Sequence, residues 1–158
     1  MANGKGFGAH QDHPAWEDFI TSDRKFYSMA LFPDGSTKEN GCLEFVYNMN
    51  KKILENDLNR KNGYGKLIDE NKFTWHAMET TNRDLLIFDS YVPHRSHENK
   101  TKSSRRVFYF TFNNIEDGDN YEKYYIKKRK EFPPDIEREK DSKYNHLNNK
   151  FNLANPIL

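Results

Sequence analysis

A chain of 158 residues fits one domain and is long enough to enclose a modest hydrophobic core. Its 25 basic and 24 acidic residues leave a net charge of +1, which gives no reason to expect nucleic acid or an anionic membrane as a partner. The single cysteine, Cys42, excludes an internal disulfide and any cysteine-based zinc site, so a metal centre here must use His, Asp or Glu, and a reducing, cytoplasmic setting is the default.

The chain is very polar, with 31% charged residues and a mean hydropathy of −1.07, yet 15% of its residues are aromatic, so the core is expected to be built on Phe and Tyr. No apolar run approaches the roughly 20 residues that span a bilayer, and the first residues lack the apolar segment of a signal peptide. Residues 1–9, MANGKGFGA, read as a glycine-rich loop leading into His10-Gln11-Asp12-His13, with no strand or helix before them. HPAWEDFITSDRKF reads as a short helical turn or an irregular loop, and FYSMALF at 26–32 as a strand closed by turn chemistry at Pro33-Asp34-Gly35-Ser36. After a further turn at Glu39-Asn40-Gly41, a second strand runs from Cys42 to Tyr47.

Residues 48–71 are rich in Asn, Lys, Asp and Glu, with Ile53, Leu54 and Leu58 spaced as in a short amphipathic helix. Strands are expected at 73–78, 85–88 and 107–112, making about five in all, a pattern that favours an antiparallel sandwich or barrel over alternating β and α elements. Beyond Asn113, DGDNYEKYYIKKRKEF predicts a charged helix with Tyr121, Tyr124 and Tyr125 on one face, packed on the sheet exterior and ended by Pro133-Pro134. An extended tail whose last apolar residues dock completes the chain.

The stretch from Asn82 to Phe112 carries the chemistry. His94 is expected on a turn between two strands, and it needs partners from elsewhere. His10 and Asp12, two residues apart, project to one side of an extended segment. With His94 they would make two histidines and a carboxylate, the facial set that leaves three positions open on non-haem Fe(II), although zinc accepts the same ligands. Taken alone, a His-x-Asp triplet is as compatible with ordinary surface polarity. Arg105, at the start of the next strand, is planar and permanently charged and suits a bidentate hold on a carboxylate, with Ser96 adding a hydroxyl. Arg106 faces the other way and is expected in solvent.

AHQDHPAW at 9–16, KENGCLEFV at 38–46, DLLIFDSYVPHRS at 84–96 followed by Asn99, and RRVFYFTFN at 105–113 together resemble the phytanoyl-CoA dioxygenase-like (PhyH) branch of the Fe(II)/2-oxoglutarate-dependent oxygenases. FPPDIERE and FNLANPI are similar to the end of bacterial members, so the resemblance covers nearly the whole chain. It implies a mainly β fold, a double-stranded β-helix (jellyroll, cupin-like) core with a C-terminal helix, and a single oxygenase-like domain over 1–158, with 114–158 as a helical and extended tail. It implies that His10, Asp12 and His94 hold Fe(II) and that Arg105 and Ser96 bind the 2-oxoglutarate carboxylate. O2 would take the remaining metal position, ascorbate would serve as a reductant, and a small polar metabolite would be hydroxylated with release of succinate and CO2. Gln11 and Trp16 would line the substrate side, although an aromatic near a metal is more often a packing residue, whereas His13, His76, His97 and His146 match no ligand position.

The chain also departs from that pattern. Family members carry a long N-terminal region before the His-x-Asp motif, and here nine residues precede His10. The expectation is a truncated member with an open barrel, exposed strand edges and apolar faces, completed by another copy of the chain as a homo-oligomer. The alternatives are a non-catalytic jellyroll module that binds metal or protein, and a cupin-like zinc or manganese protein, which would have no use for a carboxylate clamp.

Overall fold

The computed structural model describes residues 4–21, 24–49, 58–59, 66–67 and 69–138. The chain forms strands β1 (Phe7–His10), β2 (Tyr27–Leu31), β3 (Leu43–Phe45), β4 (Leu58–Asn59), β5 (Lys66–Leu67), β6 (His76–Met78), β7 (Leu85–Asp89), β8 (His94–Ser96) and β9 (Phe108–Phe112). Two helices accompany them, α1 (His13–Trp16) and α2 (Tyr121–Glu131). All pairings are antiparallel and build two sheets, one ordered β4-β5-β1-β8-β3-β6 and the other β7-β2-β9.

The two sheets bury their facing sides against each other. Ala30 and Phe32 from the β2 segment and Phe88 from β7 meet Leu43 and Phe45 from β3, with Phe7, Leu86, Val92 and Val107 packed around them. The core is aromatic and thin, as the composition implies. Along β2 the residues alternate, so Ser28 and Ala30 point inward while Tyr27 and Leu31 point out. Small inward residues there leave room between the sheets.

Register assigns the faces of β9, where aromatics on both sides make the sequence pattern ambiguous. Tyr109 pairs with Ala30 and Thr111 with Ser28, so both look inward, while Phe108, Phe110 and Phe112 lie opposite Leu31, Met29 and Tyr27 on the outer side. Leu85 and Ile87 of β7 extend that outer side. Apart from the half-buried Met29, its apolar side chains are open to solvent, from 36% for Leu31 to 64% for Ile87. An uncovered apolar sheet face is unusual for a finished domain, and it is the face expected of an open barrel.

Three expectations need correction. A strand does precede Asp12, because β1 runs through Phe7–His10, drawn into order by pairing with β8 rather than by its own glycine-rich sequence. His94 lies not on a turn but on β8, a strand paired on both sides, whose polar His-Arg-Ser triplet hides it from apolar periodicity. Leu58 belongs to a strand paired with β5 instead of a helix, while Ile53 and Leu54 lie outside the described residues. The docking tail likewise falls outside them from residue 139 onward.

Helix α2 docks on α1 and the turn after it, not on the sheet exterior. Tyr124 stacks on Trp16 with ring centres 3.6 Å apart and interplanar angle 5°, and Phe19 and Phe132 close the cluster. Tyr121 and Tyr125 remain exposed. Among the described residues no helix is long and apolar enough to cross a membrane.

Two glycines of the opening segment give contrasting predictions. A Cβ on Gly6 would sit 1.9 Å from Ser96 O, a backbone atom that cannot yield without separating the Gly6 segment from β8, whereas a Cβ on Gly8 meets nothing within 4 Å. Gly6→Ala should destabilise by about 1–3 kcal/mol, as overpacking does, and lower the melting temperature by several degrees. Gly8→Ala should be neutral or stabilising by up to about 1 kcal/mol through the unfolded state. Thermal melts of the two variants check the contrast.

Candidate metal centre

The centre is assembled where β1 and β8 pair. His10 lies directly opposite His94, and Phe7 opposite Ser96, so β1 spends three residue steps where β8 spends two. This bulge keeps Phe7, His10, His94 and Ser96 facing the interior together, and bulges commonly re-aim side chains in this way. Phe7, Phe45 and Phe88 surround the two imidazoles, at ring-centre distances of 4.9–6.0 Å from His94.

Asp12 reaches the same point by a different route from strand alternation. The strand ends at His10, and Asp12 has helical backbone angles (φ −73, ψ −25) as the residue before α1. Its Oδ1 lies 3.3 Å from His10 Nε2 and 3.6 Å from His94 Nε2. The three ligand-type atoms fall within 4.8 Å of one another, and no other group of three such residues does so among those described. Both imidazoles are oriented by the backbone: His10 Nδ1 is 2.8 Å from Gly8 O and His94 Nδ1 is 3.0 Å from Val92 O. Each carbonyl accepts a hydrogen bond from Nδ1–H, the tautomer that leaves each Nε2 with its lone pair aimed at the common point.

Protonation states agree with that geometry. Burial depresses His94 to about 4, with His10 adding to the effect and Asp12 opposing it. Burial pushes the Asp12 carboxyl up, but the charge of His94, the contacts of His10 and the Ser28 hydroxyl outweigh it and hold Asp12 at about 2. At neutral pH the set is therefore a neutral imidazole at His94 and a carboxylate at Asp12, the forms that bind a metal without first releasing a proton.

The neighbouring donors are buried and unsatisfied. Ser96 Oγ and Arg105 Nη1 have no hydrogen-bond partner, nor does His10 Nε2; the fourth such atom among the described residues is Asp117 Oδ2. A buried polar atom without a partner costs about 1–3 kcal/mol, so Ser96 Oγ and Arg105 Nη1 are donors suited to a polar guest. Ser96 follows His94 by two residues on β8 and faces the same way. Arg105 stands three residues before β9, not at its start, and its Nε donates to Asn40 O at 3.0 Å, which steers the guanidinium inward. These donors fit a carboxylate-bearing molecule, and the His-Asp-His set fits a divalent metal. Arg106 lies outside, paired with Asp34 at 2.6 Å.

The remaining histidines have structural surroundings. His13 is buried, with Nδ1 3.2 Å from Ser90 Oγ and Nε2 3.1 Å from the Tyr91 hydroxyl, and its backbone N–H donates to Ser90 O. Gln11 donates to Tyr91 O, and Trp16 packs on Tyr124, so neither matches the substrate-lining role expected of it. Gln11 and His13 fasten the segment around Asp12 to the connection before His94, while Trp16 ties it to α2. His97 is exposed beside Glu44, His76 stacks on Tyr47, and His146 lies outside the described residues. Sequence reasoning missed Ser28, whose Oγ donates to Asp12 Oδ2 at 3.2 Å; only its inward place on β2 singles it out.

The metal-free protein should lose stability in acid in two phases. A His94 held at about 4 is protonated in the unfolded chain first, so stability should fall as pH drops from 6.5 to about 4, by up to about 1.4 kcal/mol per unit. Asp12 extends the fall from 3.8 toward about 2. His94→Gln should flatten the first phase in melts recorded against pH, and an unchanged slope would contradict the assignment.

A sequence model of the family described as Phytanoyl-CoA dioxygenase (PhyH) matches residues 2–107, more than half of the chain. The chain is 35% identical over 157 residues to a 2-aminoethylphosphonate dioxygenase from the uncultured bacterium HF130_AEPn_1, covering 98% of this chain and 57% of the relative. It is 38% identical over 130 residues to methylphosphonate hydroxylase from Gimesia maris, covering 82% and 47%. The chain thus spans about half the length of the curated relatives it matches. Apo EctD from S. alaskensis superposes with a TM-score of 0.58 at 20% identity, over 72% of this chain and 41% of that one. EvdO2 from Micromonospora carbonacea var. aurantiaca, complexed with 2-oxoglutarate, does so with 0.53 at 21%, over 70% and 46%. At these identities the likeness concerns the fold, a double-stranded β-helix of two facing antiparallel sheets. With the family match and both relatives in agreement, this chain belongs to the PhyH family of oxygenases.

Proposed function

We propose that this chain, as a single domain over 1–158, is an Fe(II)/2-oxoglutarate-dependent dioxygenase that hydroxylates a small polar metabolite, and that a small organophosphonate is its substrate class. The observation that carries the reading is the convergence of His10 Nε2, His94 Nε2 and Asp12 Oδ1, in a chain that also leaves the buried Ser96 Oγ and Arg105 Nη1 unsatisfied. The names of the two relatives supply the phosphonate class.

In this reading His10, Asp12 and His94 hold Fe(II) on one side, while Arg105 and Ser96 hold the carboxylate of 2-oxoglutarate. Fe(II) with 2-oxoglutarate and O2 supplies the oxidising power, giving hydroxylated product, succinate and CO2, with ascorbate as an auxiliary reductant. The chain's own work is orientation and shielding. The Nδ1 contacts to Gly8 O and Val92 O fix both rings, and Phe7, Phe45 and Phe88 keep water from the histidines. A phosphonate substrate would enter from the open side of the interior, toward which Tyr109 and Thr111 face. A cytoplasmic setting suits the free, buried Cys42.

Anaerobic titration of Fe(II) into protein with 2-oxoglutarate should raise a visible charge-transfer band, and succinate should form in air when 2-aminoethylphosphonate or methylphosphonate is supplied. Arg105→Gln should weaken 2-oxoglutarate by about 1.5–3 kcal/mol, on the order of ten- to a hundredfold. A folded protein without the band would remove the reading.

A second reading, a non-catalytic jellyroll module, is favoured by the uncovered face of β7-β2-β9. That face and the unpaired edge of β9 also support a homo-oligomer. Sedimentation should then give a dimer that Phe110→Glu converts to monomer; a monomer at every concentration would refute the association, and a dimer without turnover would favour the non-catalytic reading.

A further inference from the structure

The two oxygens of Asp12 have different partners. Oδ1 faces the histidines, whereas Oδ2 accepts a hydrogen bond from Ser28 Oγ at 3.2 Å. Ser28 is 5% exposed and belongs to β2, in the sheet opposite the one that carries His10 and His94. Asp12 itself stands outside any strand, on the turn before a four-residue helix, so no sheet ladder holds its backbone. A carboxylate on such a turn has free rotation about its terminal torsion unless a neighbour restrains it.

We propose that Ser28 is the positioning residue of this centre, tying Asp12 Oδ2 to the β7-β2-β9 sheet so that Oδ1 alone is presented to the metal. The inference rests on the metal-centre reading above and adds a residue from the second sheet to it. The neighbours on β2 support the role. Ser28 pairs with Phe88 on one side and Thr111 on the other, and Ala30 is the next inward residue, so Ser28 is the hydroxyl that β2 sends toward Asp12. The contact also couples the sheets: a shift of one relative to the other would turn the carboxylate away from the histidines. Hydrogen bonds to ligating carboxylates commonly tune metal affinity.

Co(II), followed through its visible ligand-field bands, is the probe. Ser28→Ala should lower Co(II) affinity by about 10–100-fold, reduce the metal-induced rise in melting temperature, and leave the circular dichroism of the metal-free protein unchanged. Ser28→Thr, which keeps the hydroxyl, should bind close to wild type. Equal affinity of wild type and Ser28→Ala would overturn the proposal. So would a Ser28→Ala protein that is less stable without metal but binds Co(II) as tightly, since that is the mark of a packing role, and so would equal weakening by alanine and threonine. A wild-type protein that binds no Co(II) would overturn the metal centre itself, and this inference with it.

Discussion

The antiparallel pairing of β1 with β8 is the constraint on which the site depends. It joins residues 84 positions apart, places His10 opposite His94 and, through the bulge between Phe7 and His10, turns both rings into the interior. Neither strand has the sequence of a robust strand. One is glycine-rich and short, the other is a polar triplet, and each is ordered by its neighbours: β1 by β5 and β8, β8 by β1 and β3. Behind the histidines, on the outer side, Arg95 bonds Glu44 and Glu70 at 2.6 Å each, and Glu70 accepts from Ala9 N–H. The residues next to the two imidazoles are thus clamped from outside the barrel, while His13, Ser90 and Tyr91 tie the following segment from within.

The cost of the site is visible in its unsatisfied atoms. Burying His10 Nε2, Ser96 Oγ and Arg105 Nη1 without partners opposes folding, and in acid so does the buried His94, which resists the proton that the unfolded chain takes up. Three of the four unsatisfied buried atoms among the described residues belong to this set; the fourth, Asp117 Oδ2, lies with Thr21 and Arg24. Local destabilisation offset by a sound surrounding core is the usual signature of groups that await a bound partner. The core that offsets it is small, five buried residues between the sheets and a second cluster of Trp16, Phe19, Tyr124 and Phe132. Helix α2 therefore contributes to the site indirectly, by weighting down the segment that follows Asp12.

The outer face of β7-β2-β9 is the least covered part of the described structure. A sheet packed on one side needs cover on the other when its outward residues are Phe, Ile and Leu rather than polar. The site itself does not draw on that face, since the inward residues of the same strands, Ser28, Ala30 and Tyr109, are the ones that look toward the metal centre. The candidate ligands therefore converge on the covered side of a sheet whose other side is open to solvent.

Residue order alone determined a great deal. Apolar and aromatic runs bounded by turn residues marked β2, β3, β7 and β9, the absence of paired cysteines restricted a metal centre to His and carboxylate ligands, and four ordered motifs pointed to the family. His10, Asp12, His94, Ser96 and Arg105 were all legible as candidates, because functional polar residues interrupt apolar patterns. What the tertiary structure decided was everything that depends on pairing across the chain. Strand order, the bulge, the faces of β9 and the strand character of the His94 segment come from hydrogen bonds between distant residues, which local propensity does not encode. Ser28 illustrates the limit: in sequence it is an ordinary serine inside an apolar run, and only the approach of the second sheet brings its hydroxyl to Asp12.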